Sequence, residues 1–138
     1  ATGGRIADRI TNVPGSSDYF KGSVVAYGND VKTGLLEVRR APLENYRAVS
    51  EQTAVEMAQG GRKLLNVDMC VSDTGIAGPS GATPEKPVGL FYLCLAAQDE
   101  SLREKHIFPG NRRRNKRDAA EAALNMLKQY LLRRIKAR

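Results

Sequence analysis

Residues 88–97, VGLFYLCLAA, run for ten positions without a charge. A strand with one face in water alternates apolar and polar, so an unbroken run of this length fits a strand covered on both faces. It is too short to span a bilayer. A second run, 67–72, precedes it across a loop of turn residues at 75–84 that contains IAGPSGATP. Two interior strands need helices on either side, and the rest of the chain supplies them.

Ile6, Ile10 and Val13 recur at helical spacing, which predicts a helix over 3–12 ended by Pro14-Gly15. Residues 20–27 are rich in β-formers and stop at Gly28-Asn29-Asp30, which predicts a strand followed by a short helix over 30–36. Ser50 caps a helix over 51–63 with Ala54, Met57 and Ala58 on one face. Residues 101–108 read as a strand nearer the edge. The last helix runs from 112 or 116 to 135, with Ala120, Leu124, Leu127, Leu131 and Ile135 as its buried stripe. Alternating strands and helices give an α/β class, a three-layer α/β/α sandwich around a mixed, largely buried sheet. At 138 residues the chain is one domain, 1–138, with no repeat and no linker.

Composition excludes several chemistries. Cys70 and Cys94 each lie in a strand-like run, and no CxxC, HExxH or Cys/His cluster occurs, so no metal site and no cofactor are expected. No charged-then-apolar leader opens the sequence, and buried reduced thiols suit a cytoplasmic protein. The net charge of +7 is lopsided: residues 1–100 carry 10 Lys/Arg against 12 Asp/Glu, and residues 101–138 carry 12 against 3. Such an excess attracts phosphorylated small molecules or nucleic acid. The basic stretch has only Tyr130 near it, without the interleaved aromatics that single-strand binders stack on, which argues against nucleic acid.

The segment VPGSSDYFKGSVVAYGNDVK at 13–32 holds the chemistry. Ser17, Tyr27 and Lys32 are a hydroxyl nucleophile, a phenol and an amine around one expected strand. A serine activated by lysine needs no histidine, and the only histidine, His106, lies in another element. Lysine acts as a base once burial or a nearby cation lowers its pKa from about 10.4. Tyr27 could relay the proton or hold the lysine, and Ser16 is the fallback nucleophile. Thr2-Gly3-Gly4 ahead of a helix, and Thr74, Gly75, Ala77 and Gly78 after an interior strand, could receive an anion. Lys86 leads into a buried strand, where its charge calls for a ligand or an acid, and Arg112 opens the last helix, where it could meet a phosphate. There is no Walker loop, GxGxxG or GxSxG.

These segments together resemble the C-terminal domain of the competence/damage-inducible CinA family, whose stand-alone form is the nicotinamide-nucleotide amidohydrolase PncC. The resemblance rests on TGG at 2–4, RIT at 9–11, VPGSSDYF at 13–20, VAYGND at 25–30 with Lys32, AVSEQTAVEMAQG at 48–60, TGIAGPSG at 74–81, EKPVG at 85–89 and FPGNR at 108–112. It implies deamidation of nicotinamide mononucleotide to nicotinate mononucleotide and ammonia, with Ser17 as nucleophile and Tyr27 and Lys32 as its helpers. The implied partner is that small-molecule nucleotide, with no membrane; a homo-oligomer is left open. The alternatives are a catalytically idle ligand-binding relative and a basic nucleic-acid-binding module. Four departures stand out. The family's first strand, ending in Glu-Ser-Cys, is missing ahead of Thr2. Arg47 replaces the glycine usual before Ala48, read as a loop change. Asn111 stands where Asp is common, and Lys116 where a second arginine is typical.

Overall fold

The computed structural model describes residues 1–137, Tyr46 through its backbone alone. In chain order the elements are α1 (Arg5–Thr11), a 3-10 turn (Ser16–Asp18), α2 (Asn29–Leu36), α3 (Arg40–Tyr46), α4 (Glu51–Leu65), β1 (Cys70–Gly75), β2 (Leu90–Ala96), β3 (Ser101–Ile107) and α5 (Arg112–Lys136). The α/β class is as expected. The sheet is not mixed among the described residues: its order is β1-β2-β3 and both pairings are antiparallel, with Asp73 opposite Leu93 and Cys94 opposite Arg103.

Strand alternation sends successive side chains to opposite faces. On one face Ser72 bonds a carbonyl of α4, and Cys94 and Ala96 pack with Ala54 and Ala58. On the other, Leu93 and Leu95 pack with Ala123, Met126 and Tyr130 of α5. The two long helices therefore cover opposite faces of β2, whose Phe91, Cys94 and Leu95 are completely buried. Phe91 also meets Phe108 edge to face at 5.7 Å. Each such apolar side chain contributes about 1.5–3 kcal/mol of burial.

Helix α4 starts where Ser50 accepts the Thr53 N–H at 3.1 Å, the side-chain cap the sequence predicts. α5 starts likewise on Asn111, which accepts the Arg114 N–H at 2.9 Å. Its buried stripe differs from the expected one. Asn115, Ala119, Ala120, Ala123, Met126 and Tyr130 face the sheet, whereas Leu131 and Ile135 are exposed. Alanines let the helix approach the sheet closely; the leucines are turned to one side.

Three further differences have local causes. Residues 20–27 form no strand and join no ladder, because β-propensity does not by itself supply a partner. β1 begins and ends three residues later than expected, since its polar residues are held from outside the sheet: Ser72 and Thr74 donate to the carbonyls of Ala54 and Ala48. α3 went unread because Pro42 interrupts its pattern; at the third position of a helix proline removes no intrahelical hydrogen bond.

Candidate active site

Lys32 sits on the first turn of α2 with only 6% of its surface exposed. Its Nζ donates to the carbonyl oxygens of Ala26 at 2.8 Å and Tyr27 at 3.1 Å. Burial pulls the Lys32 pKa below the ordinary lysine value, with the Asp73 carboxylate opposing. The amine thus points inward, and Tyr27 touches it through its carbonyl rather than its phenol. The phenol is exposed and accepts a hydrogen bond from Arg112 Nη2 at 3.4 Å.

The two candidate nucleophiles share the turn that follows Gly15, which takes a left-handed conformation at φ 85. Ser16 is buried and Ser17 exposed. The Ser16 carbonyl accepts the N–H groups of Tyr19 and Phe20, closing the turn. Among the described residues the Ser17 hydroxyl has no hydrogen-bond partner and no direct bond to Lys32.

Around the loop after β1 the structure gathers most of the predicted binding residues. Thr74 Oγ1 donates to Ala48 O at 2.7 Å. Gly75 lies flat against the Phe91 ring, where a Cβ would collide. Gly78, at φ 92, offers its carbonyl to Arg112 Nη1 at 2.8 Å. Ala77 is buried and its carbonyl accepts from Asn115 Nδ2 at 3.0 Å. Lys86 Nζ donates to Val49 O at 2.7 Å. Burial lowers the Lys86 pKa, the Arg47 charge adds to that, and Glu85 opposes. The Arg112 guanidinium ties this loop to the Tyr27 phenol.

Thr2, Gly3 and Gly4 form a second group. Thr2 is buried and donates its N–H and hydroxyl to the two oxygens of Asp73 at 3.0 and 2.9 Å. Gly3 and Gly4 turn the chain into α1 with positive φ, and the Lys116 ammonium lies beside Gly3. This group, with Ala26 and Tyr27, lines an apolar groove of about 660 Å³ running between residues 19–27, β1, α1 and the leucine side of α5.

Two contributors escaped the sequence reading. Asp73 looked like a loop acid, and Asn115 was lost among arginines. The only clue to Asn115 was its place on the face of α5 that also carries Ala119 and Ala123. Its side chain is fully buried and holds Gly110 and Ala77 through three hydrogen bonds. Elsewhere on α5, Arg114 and Arg117 pair with Asp118, and Arg9 of α1 pairs with Glu121. Among the described residues no group of three His, Cys, Asp or Glu gathers, and no helix is long and apolar enough to cross a membrane.

Residues 1–131 match the family model for the CinA C-terminal domain. The chain is 45% identical over 132 residues to the CinA-like protein of Sulfurihydrogenibium sp., covering 96% of this chain and 33% of that one. It is 49% identical over 131 residues to the CinA-like protein of Syntrophomonas wolfei, covering 94% and 31%. The chain therefore spans about a third of the length of these curated relatives. Among solved structures it resembles competence/damage inducible protein CihA of Agrobacterium tumefaciens, with a TM-score of 0.90, 37% identity and 93% and 79% of the two chains covered. The competence damage-inducible protein A of Klebsiella pneumoniae gives a TM-score of 0.91 at 26% identity, covering 95% and 81%. This chain belongs to the CinA C-terminal domain family.

Proposed function

We propose that this domain is a nicotinamide mononucleotide amidohydrolase, active in the cytoplasm, that works through a serine and a lysine. The observation that carries the reading is the placement of Lys32, whose buried Nζ meets the carbonyl oxygens of Ala26 and Tyr27. A neutral amine has two N–H donors and one lone pair, and Ala26 and Tyr27 supply two acceptors. The lone pair is left for an incoming proton, and burial favours that uncharged form.

In the proposed reaction the Ser17 hydroxyl gives its proton to Lys32 as its oxygen attacks the carboxamide carbon. Backbone N–H groups of the 15–17 turn or the 75–78 loop hold the oxyanion; losing one such donor elsewhere costs roughly 3–4 kcal/mol of barrier. Lys32 returns the proton to the departing nitrogen and ammonia leaves. Water then attacks the acyl-serine, passing a proton to Lys32 on the way, and nicotinate mononucleotide is released with Ser17 restored. Ser16 is the alternative nucleophile. Tyr27 fixes Lys32 by its carbonyl and rims the site with its phenol. Thr2, Gly3, Gly4, Thr74, Gly75, Ala77 and Gly78 shape the pocket, and Lys86 and Arg112 supply positive charge to the phosphorylated substrate. No step calls for a metal or cofactor.

The test is release of ammonia from nicotinamide mononucleotide by the wild type, Ser17→Ala and Ser16→Ala. Ser17→Ala should lose turnover with its circular dichroism unchanged, because the side chain is exposed and unbonded. Full turnover in Ser17→Ala would move the chemistry to Ser16 or away from this turn.

A further inference from the structure

Four features of the fold surround one gap. Among the described residues β1 pairs with β2 alone, so its other edge is open. Residues 21–27 form no strand, yet their burial alternates one by one: Lys21, Ser23, Val25 and Tyr27 are exposed, Gly22 and Val24 half-buried and Ala26 buried. That is the two-residue period of a sheet. None of their N–H groups donates to another backbone group among the described residues. α1 buries no residue, although it carries Ile6 and Ile10. On α5, Leu124 and Leu127 are only half-buried and Leu131 is exposed, where the sequence predicts a buried stripe. All four features line the apolar groove.

The groove has the surroundings of an interior strand. Met57, Gly61 and Leu65 of α4 line it from one layer, and α1 with the leucines of α5 from the other. Its flanks are the backbones of β1 and of residues 21–27. A hydrocarbon ligand would leave those backbone groups unbonded, whereas a strand would bond both. The ends of the groove set a direction. At one end Lys21 Nζ donates to Asn66 O at 3.2 Å. At the other, Thr2 holds Asp73 and Val25 lies beside Gly4. Residues 21–27 therefore run the same way as β1, and Ala1 stands where a strand parallel to both would finish. α1 then becomes the crossover helix that two parallel neighbours require. The sheet becomes mixed, as expected from the sequence. The curated relatives are about three times as long as this chain, and the part matched is a C-terminal domain, so in them further chain leads into this point.

We propose that the groove is the seat of a parallel β-strand made by the residues that lead into Ala1 in a longer form of this protein. The groove follows the chain from Val67 to Asp73, so the strand has about seven residues. Helices on both faces make it almost wholly apolar. By pairing with residues 21–27 it also steadies the Ala26 and Tyr27 carbonyls that hold Lys32. The experiment compares the 138-residue protein with three versions extended ahead of Ala1. One carries Val-Ile-Val-Thr-Val-Ala-Val, one the same stretch with proline at its centre, and one a Gly-Ser stretch of equal length. The apolar extension should slow amide exchange in residues 21–27 and 70–73 at least about tenfold and raise Tm by about 5 °C. The proline and Gly-Ser versions should do neither, since proline removes a ladder bond. Leu131→Lys in the apolar version, a charge set beside the seat, should cancel most of the gain in Tm. Exchange and Tm alike in the apolar and Gly-Ser versions would overturn the proposal. So would a dimeric 138-residue protein in which residues 21–27 and 70–73 are protected and lose that protection on dilution, because the groove would then hold a second copy. None of these readouts is turnover, so their failure leaves the amidohydrolase reading standing, and absent ammonia release leaves the strand seat standing.

Discussion

The amine nitrogen of Lys32 lies 2.8 Å from the carbonyl oxygen of Ala26, inside the protein and facing a main chain that no ladder pairs. A buried ammonium there is costly, and its pKa is lowered from 10.5 chiefly by burial, against the pull of Asp73. Stability rises with pH wherever the unfolded chain binds more protons than the native one. For Lys32 that window runs from its lowered native value up to the unfolded value near 10.5. The cost is fully present below the window and has gone above it. Wild type should therefore gain on Lys32→Met between pH 7 and pH 10 in urea unfolding, and an unchanging gap would show that the amine carries no such burden. If the neutral amine is the base of the proposed reaction, turnover of nicotinamide mononucleotide should rise with pH through the same window.

Asn115 should be the most sensitive polar position outside the reacting groups. Replacing it with alanine leaves the Ala77 carbonyl and both backbone groups of Gly110 without their side-chain partner. A loss of about 2–4 kcal/mol in chemical denaturation is expected. Turnover measured well below the melting point should fall too, since Ala77 adjoins the Gly78 carbonyl that Arg112 grips.

Gly60 gives a test in which helix propensity points the wrong way. Alanine in mid-helix gains about 1 kcal/mol over glycine. Here its Cβ would be driven into the Leu36 carbonyl, where α2 crosses α4, and a backbone atom cannot swing aside. Gly60→Ala should lose about 1–3 kcal/mol net, measured as a lower urea midpoint.

The thiols should be inert while the protein is folded. Burial pushes the Cys70 pKa up to about 11 and that of Cys94 up to about 12, and it is the thiolate that reacts. A disulfide reagent at pH 8 should label neither cysteine within minutes in buffer and both at once in denaturant. Rapid labelling of native Cys94 would mean that the sheet opens readily between α4 and β2.

Wherever the signal lay within a few residues, the sequence was easy to read. The Ser50 cap and the Ala54, Met57 and Ala58 face placed α4, and the charge-free run placed β2. What needed a distant partner was misread. Residues 20–27 have the composition of a strand, but pairing depends on what lies alongside. Asp73 and Thr74 look like loop residues until Thr2 and Ala48 are seen to hold them. In the candidate site, Lys86 was legible because a charge entering an apolar run demands company. That Tyr27 lies beside Lys32 was legible, but its meeting the amine through its carbonyl and not its phenol was not, since no residue type encodes that choice. Arg47 showed in the sequence only as an odd substitution, and its backbone angles give the reason for the usual glycine.

The two rims of the sheet are guarded unequally. β3 carries Arg103, Glu104 and Lys105 in succession, charges that discourage a neighbour from docking edge to edge. β1 has a single charge, Asp73, already engaged by Thr2, and it borders the apolar groove. Concentrated solutions of these 138 residues should clump by way of β1, and a lysine introduced there is the simplest remedy.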